Sequence, residues 1–381
     1  MIKYNGTIDL LTKMEGSVLP FALAISLPCM ILSGLIKHAE VNSLADFDEF
    51  RTYFKIKNSA YRAFSALLGF LIVFRTSQAY ARYWDGGGLM QQMIGSWFDA
   101  ASSAVAFCHG SKADGAAVVC FQHLLLRLYS ILTALALTEL RGDDVEPRPV
   151  SFEVIDAESF DSETSRLMKD SPCKIELIYH WIQTVLVDAN ATGIITVAPP
   201  ILARAFFELA DGMVKFHDCK KIAVHPFPFP YSQVTLILLI SHWIITPVMI
   251  CSETQNTFLA CLFSFLVVFI FWGLYAIAIE LENPFGDDPN DLDGADILRE
   301  MNSKLLMLFV SPAAKAVPSL LPGVSTEQLD QQALECRVPL HQLWSKQKLS
   351  VPEIITMDAG FDQRIVSSSS TRPLLSTSRG S

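Results

Sequence analysis

The sequence predicts an all-α integral membrane protein with four membrane-spanning helices per subunit and a helical region outside the bilayer. Three observations lead there. The chain has 381 residues, of which 51% are hydrophobic and only 18% charged, too apolar a balance for an ordinary soluble enzyme. Its mean hydropathy is positive, and its apolar runs reach the length that crosses a bilayer. Residues 59–88 carry an apolar helical pattern that passes without a break into a polar, arginine-bearing one. The formal charge of −10 offers no basic stripe to neutralise phosphates, so a nucleic-acid partner is not expected. Eight cysteines lie scattered, and Cys29, Cys251 and Cys261 fall inside apolar runs, which indicates neither a disulfide framework nor a zinc site.

Taken in order, residues 18–36 are the first span. The run lacks a small-residue cleavage site and is followed by polar sequence, which favours a span over a signal peptide. No Ser/Arg-rich transit peptide precedes it. Residues 38–58 are polar and mixed in charge, as expected of a loop on the far side of the membrane, and residues 60–75 return through it. Within that return Ala66, Phe70 and Phe74 share one helical face, a stripe that on periodicity alone reads as helix–helix core. Arg75, Gln78 and Arg82 follow directly, so the helix must there leave hydrocarbon or line something wet.

Residues 85–231 read as a mostly helical, non-membrane region with candidate helices at 97–107, 115–140 and 171–187. Residues 116–137 are apolar enough to mimic a span, but His123 and Arg127, four apart, would be costly in lipid. The segment is therefore expected to be a buried or partner-facing helix with two satisfied polar residues. Residues 141–170 are acidic and carry Pro147 and Pro149, the composition of a solvated loop. Pro199-Pro200 interrupts an apolar run and restarts a helix at Ile201, a residue equally readable as ordinary core. Pro226, Pro228 and Pro230 alternate with Phe227, Phe229 and Tyr231, predicting an extended lead-in to two spans, 232–251 and 257–281. His242 in the first of these reads as a packed or interfacial residue.

After the last span comes Glu282-Asn283-Pro284-Phe285-Gly286-Asp287-Asp288-Pro289-Asn290-Asp291-Leu292. Oxygen donors gathered after a glycine turn are what a hard cation requires. The same residues also suit a purely structural role, with Asp293 and Asp296 placed to start a helix over 297–310. Residues 302–340 are expected to form a peripheral segment, and 341–381 a disordered Ser/Thr-rich tail with hydroxyls open to phosphorylation.

Several of these stretches together resemble the bestrophin family of anion channels, closer to its bacterial, plant and algal branch. They are Glu15-Gly16-Ser17-Val18-Leu19-Pro20, then Phe74-Arg75-Thr76 with Ala79-Tyr80 and Arg82-Tyr83-Trp84, then Ala198-Pro199-Pro200-Ile201-Leu202-Ala203, the proline–aromatic lead-in, and Asn283-Pro284-Phe285-Gly286. The likeness runs from Glu15 to about Met301, within a channel domain over 1–301. It implies a homopentamer around one axial pore, with a neck at Ala66, Phe70 and Phe74 and a second aperture at Ile201. Ala66 departs from the large apolar residue usual there, which widens one ring. The resemblance also implies a possible calcium clasp, Asp288 and Asp291 giving side chains and Asn283 and Asp287 backbone carbonyls. Pro289 stands at an otherwise acidic position, as in members where calcium control is not the rule.

The implied function is an anion-selective channel, for chloride or bicarbonate, with chloride the permeant ion and no enzymatic activity. Its setting would be the plasma membrane or, in a photosynthetic organism, the thylakoid membrane, with lipid as a further partner. The competing classes are a secondary anion transporter and a membrane-bound enzyme. Against them stand the absence of an internal repeat and eight dispersed histidines with no ligand spacing. An apolar neck can pass anions because phenyl edges carry partial positive charge, and it can gate by dewetting.

Overall fold

Apolar runs interrupted by polar breaks fold into helices joined by short connections. The computed structural model describes residues 13–42, 58–142, 152–310 and 316–318, and every regular element among them is helical. In order they are α1 (Leu19–Val41), α2 (Asn58–Phe107), α3 (Gly115–Arg141), α4 (Ser162–Asp170), α5 (Lys174–Ala191), α6 (Pro199–Val224), α7 (Phe229–Glu253), α8 (Thr257–Glu282) and α9 (Gly294–Val310). The described residues between 13 and 310 belong to one compact unit. The loop expected over 38–58 and the C-terminal segment 302–340 lie largely, and 341–381 wholly, outside the described residues, as do 143–151 of the loop expected over 141–170.

The spine is α2, 50 residues long and hence about 75 Å from end to end. Its first half packs with α1, α7 and α8 in an apolar layer whose buried centre includes Cys29, Leu68, Ile72, Leu239 and Val268. Helices in such a layer gain little from burying apolar surface against one another, so close packing and polar links carry more of the association. Ser33 Oγ donates to Ser264 Oγ at 2.7 Å, joining α1 to α8. Trp243 Nε1 donates to the Ile25 carbonyl at 3.0 Å, joining α7 to α1, and the Tyr61 hydroxyl meets Thr246 Oγ1 at 3.0 Å, joining α2 to α7. His242, expected to pack, is buried against Phe271 and stacked on Tyr61.

The second half of α2 enters a second core with α3, α5, α6 and α9, centred on Trp97, Tyr129, Ile178, Phe216 and Met301. Five helical stretches among the described residues are long and apolar enough to cross a membrane. Of these, α3 is set apart: 56% of its most apolar stretch is buried inside the chain, against 22–39% for the others. Its Arg127 forms an ion pair with Asp156 and donates to the His123 carbonyl at 2.9 Å. Hydrogen bonds from Ser159 and then Arg127 hold the Asp156 carboxyl below its usual range. His123 itself is exposed, and the Nε of Arg127 is buried without a hydrogen-bond partner among the described residues.

Some boundaries differ from the sequence expectation, each for a local reason. The pattern over 59–88 and the candidate helix at 97–107 are one continuous helix, α2, which runs through Gly86-Gly87-Gly88. A Cβ at Gly86 would stand 2.8 Å from Pro284 and 3.1 Å from Phe285, so the glycine serves close packing. The loop expected over 141–170 contains α4, whose Asp161 carboxylate caps the helix by accepting from Thr164 N at 3.0 Å. The extended lead-in is shorter than expected, because α7 already starts at Phe229 with Pro230 in its first turn, where proline is tolerated. Asp293 caps α9 as anticipated, accepting from Ala295 N and Asp296 N, both at 3.0 Å. The helix runs to Val310, with Leu305 and Phe309 buried in the second core.

Candidate functional site

Helical periodicity divides α2 into two stripes. Leu68, Ile72, Arg75 and Ala79 are buried and make the packing face. Ala66, Phe70, Phe74, Ser77 and Ala81 are exposed on the other side, Phe70 by 68% and Phe74 by 40%. Among the described residues of one chain Ala66, Phe70 and Phe74 are therefore not core, the reading that periodicity alone suggests. The three side chains lie on a face that the described residues leave uncovered, and the Phe74 ring stands 6.4 Å, centroid to centroid, from that of Tyr231.

Immediately behind this face Arg75 and Arg82, noted in the sequence for following the apolar run, join Glu282 in a charged cluster whose pairing the sequence did not show. Arg75 is 5% exposed and its Nη2 donates to Glu282 Oε2 at 3.1 Å. Its guanidinium stands 4.8 Å from the Tyr275 ring centre and 5.7 Å from that of Phe227, distances at which the ring faces attract a cation. Glu282 Oε1 accepts from Phe227 N at 2.8 Å. Arg82 donates through Nε to the Glu282 carbonyl and through Nη2 to the Ile222 carbonyl, at 3.2 and 2.9 Å. A charged residue at the end of each of two apolar spans was the available signal.

Ile201 sits in the first turn of α6, after Pro199 and Pro200, and is 52% exposed, so it too is outside the subunit core. The buried face of α6, with Leu202, Ala205, Leu209 and Gly212, packs on the far half of α2. A Cβ at Gly212 would come within 2.3 Å of the Trp97 indole, which is why the helices approach so closely there. Arg204 Nη2 donates to Asp99 Oδ2 at 2.9 Å and Ser96 Oγ to Asp211 Oδ2 at 2.8 Å, fixing the register. From Phe74 to Asp99 the helix rises about 37 Å. Ile201 and the phenyl stripe thus mark two levels along one rod.

The loop after α8 folds back on itself. Leu292 N donates to the Pro284 carbonyl and Asp291 N to the Asp288 carbonyl, both at 2.9 Å. Asp288 N donates to Asp291 Oδ2 at 2.8 Å, and a Cβ at Gly286 would come 2.7 Å from that same oxygen, which requires glycine. Asp291 is 3% exposed, and its Oδ1 has no hydrogen-bond partner among the described residues. Burial foremost, then the charges of Asp288 and Glu280, push its carboxyl up to about 6. The nearby Tyr83 hydroxyl is pushed up by burial and by Asp291, and it donates to the Asn290 carbonyl at 2.9 Å.

Asp287 forms an ion pair with Arg141, while Asp288 and Asn283 face outward. Asn283 Oδ1 accepts from Phe285 N at 3.4 Å. A cavity of about 300 Å³ lies against the loop, lined in part by Met90, Leu137, Arg141 and Asp291. Among the described residues no three acidic, histidine or cysteine side chains converge as a metal site. The orphaned Oδ1 of Asp291 is the one buried donor atom in this loop that a cation would satisfy.

Comparison with known proteins agrees on this architecture. The family model described as Bacterial/Fungal Bestrophin protein matches residues 3–307. A relative from Synechocystis sp., named a voltage-dependent anion channel-forming protein, is 26% identical over 318 residues, spanning 80% of this chain and 92% of its own. One of the same name from Nostoc sp. is 29% identical over 234 residues, 60% of this chain and 70% of its own. Among solved structures, a bacterial bestrophin homolog from Klebsiella pneumoniae has a TM-score of 0.62, covering 76% of this chain and 98% of that one at 13% identity, which establishes the shared fold. With the family match extending from the segment before α1 into α9, the chain belongs to the bestrophin family.

Proposed function

We infer that the protein is an anion channel of the membrane, formed by several copies of the chain around a common axis that α2 lines. The observation that carries this is the exposed Ala66–Phe70–Phe74 stripe on a helix whose opposite face is packed. Within a bestrophin-family chain whose relatives are named anion channel-forming proteins, an uncovered apolar stripe running into polar residues suits a constriction better than a lipid contact. Four spans, α1, residues 60–75 of α2, α7 and α8, cross the bilayer, and α3 remains in the helical region outside it. Five copies each present α2 to the axis, because one subunit supplies a single such stripe.

In this arrangement Phe70 and Phe74 form a hydrophobic neck, with a wider ring at Ala66, and Ile201 forms an aperture at the far end. Phenyl edges turned toward the axis offer partial positive charge to a large, weakly hydrated anion such as chloride. A neck of this kind closes by dewetting rather than by a moving plug. The acidic loop acts as a structural clip that holds calcium weakly: Arg141 already neutralises Asp287 and Pro289 removes a donor, leaving Asp288 and Asp291 to bind.

Purified protein recorded in a planar bilayer under a potassium chloride gradient tests the reading. The reversal potential should lie close to that of chloride. A reversal near the potassium value, or no current from assembled protein, would overturn it.

A further inference from the structure

We propose that Glu282, acting through Arg75, is a positioning residue for the neck: their buried ion pair closes a ring of contacts that fixes the side chain of Phe74. The proposal rests on the reading of Phe74 as part of the constriction.

The geometry begins from two adjacent residues of α2, about 100° apart around its axis. Phe74 points to the uncovered side and Arg75 into the core. The Arg75 guanidinium donates to Glu282 Oε2 at 3.1 Å, across 207 residues of sequence. The other carboxylate oxygen accepts from the backbone of Phe227 at 2.8 Å. Phe227 meets Tyr231 edge to face, with centroids 5.8 Å apart, and Tyr231 lies against Phe74 at 6.4 Å. The circuit is thus complete: Phe74, Arg75, Glu282, Phe227, Tyr231 and back to Phe74. It ties α2, the end of α8, the connection between α6 and α7, and the first turn of α7. Pro226 and Pro228 flank Phe227 and stiffen the connection, so the Phe227 ring has little freedom once its N–H is held.

Stability alone does not account for this pair. Arg75 Nε and Nη1 are buried and find no hydrogen-bond acceptor among the described residues. A buried ion pair that leaves donors unsatisfied is commonly no better for stability than apolar residues of the same volume. What it does supply is direction, because a carboxylate gripping both a guanidinium and a backbone N–H has one arrangement that satisfies both oxygens. Arg82 reinforces the same point through the Glu282 carbonyl at 3.2 Å. Glu282 is also the residue before Asn283, so movement of the acidic loop would reach Phe74 through this ring.

A double-mutant cycle on purified, assembled channels reads the coupling directly: Phe74→Ala, Glu282→Gln and the two combined, scored by unitary conductance and open probability in planar bilayers. Glu282→Gln should change one of these by about fivefold in the native background and by less than about twofold when Phe74 is already alanine. Tyr231→Leu breaks the ring at an exposed position while leaving the ion pair intact, and should give the same background-dependent change. It decides the matter if Glu282→Gln fails to assemble. An equal effect in both backgrounds, or an inert Tyr231→Leu, overturns the positioning role while leaving the neck in place. If Phe74→Ala alone leaves conductance and open probability unaltered, the neck reading fails and this inference falls with it.

Discussion

Replacing Phe70 and Phe74 with alanine separates a constriction from a core by magnitude. A fully buried phenylalanine loses about 3–5 kcal/mol on truncation to alanine. Phe70 is 68% exposed in the subunit and Phe74 40%, so scaling by the covered fraction gives about 1 kcal/mol for Phe70 and about 2 kcal/mol for Phe74. Together the subunit should lose about 3 kcal/mol, where two core residues would cost about 6–10 kcal/mol and prevent folding. The double variant should therefore assemble with a modestly lowered melting temperature in detergent. In bilayers it should pass more anion current per channel and lose part of its gating, because a ring lined by methyl groups is wider and dewets less readily. A double variant that fails to fold, or one that folds with conductance, gating and selectivity unchanged, would refute the reasoning.

Gly212→Ala should cost about 3 kcal/mol, at the upper end of overpacking effects, since its Cβ would fall 2.3 Å from the Trp97 indole; an unchanged melting temperature would show that α2 and α6 do not approach so closely. Asp291, raised to about 6 in the fold, favours its neutral form, so the stability it contributes is present in full below about pH 4 and fades as pH rises through about 6. Calcium-free protein should accordingly lose up to about 3 kcal/mol across that window relative to an Asp291→Asn variant, and calcium, by pairing the carboxylate, should flatten the difference; identical pH profiles for the two proteins would contradict this. Stepping calcium from chelated to micromolar levels should leave the current nearly steady, and steep activation abolished by Asp288→Ala would contradict the weak-clip reading. Native mass spectrometry in mild detergent should show five protomers, and an active monomer or dimer would remove the axial pore.

Much of the architecture was legible because it is written in local patterns. The apolar runs at 18–36, 232–251 and 257–281 fall within α1, α7 and α8, apart from Val18, and Asp293 caps α9 as its position implied. Of the two polar residues within the apolar run of α3, Arg127 finds a partner in Asp156, while His123 is exposed. What periodicity cannot decide is which way an apolar stripe faces. Ala66, Phe70 and Phe74 give the same spacing whether they pack in a core or line a path, and only family likeness separated the two. Long-range contacts were equally silent. Nothing in the sequence near Gly86 announces that Pro284 and Phe285 pack on it. Likewise the Arg75–Glu282 pair joins residues 207 positions apart. Nor did the sequence signal that Asp291 is buried, with its carboxylate accepting from Asp288 N inside the loop.

The central claim is that the exposed stripe of α2 lines the ion path, and thiol accessibility tests it most directly. Phe70→Cys places a thiol on that stripe, and Ile31→Cys places one at a comparably exposed position on α1, 57% against 68%, where the fold predicts lipid. A charged, water-borne thiosulfonate reagent should block or reshape the anion current of Phe70→Cys within one recording and leave that of Ile31→Cys at the unmodified level. If Phe70→Cys is untouched while the channel conducts, or if both variants respond alike, α2 does not line the path.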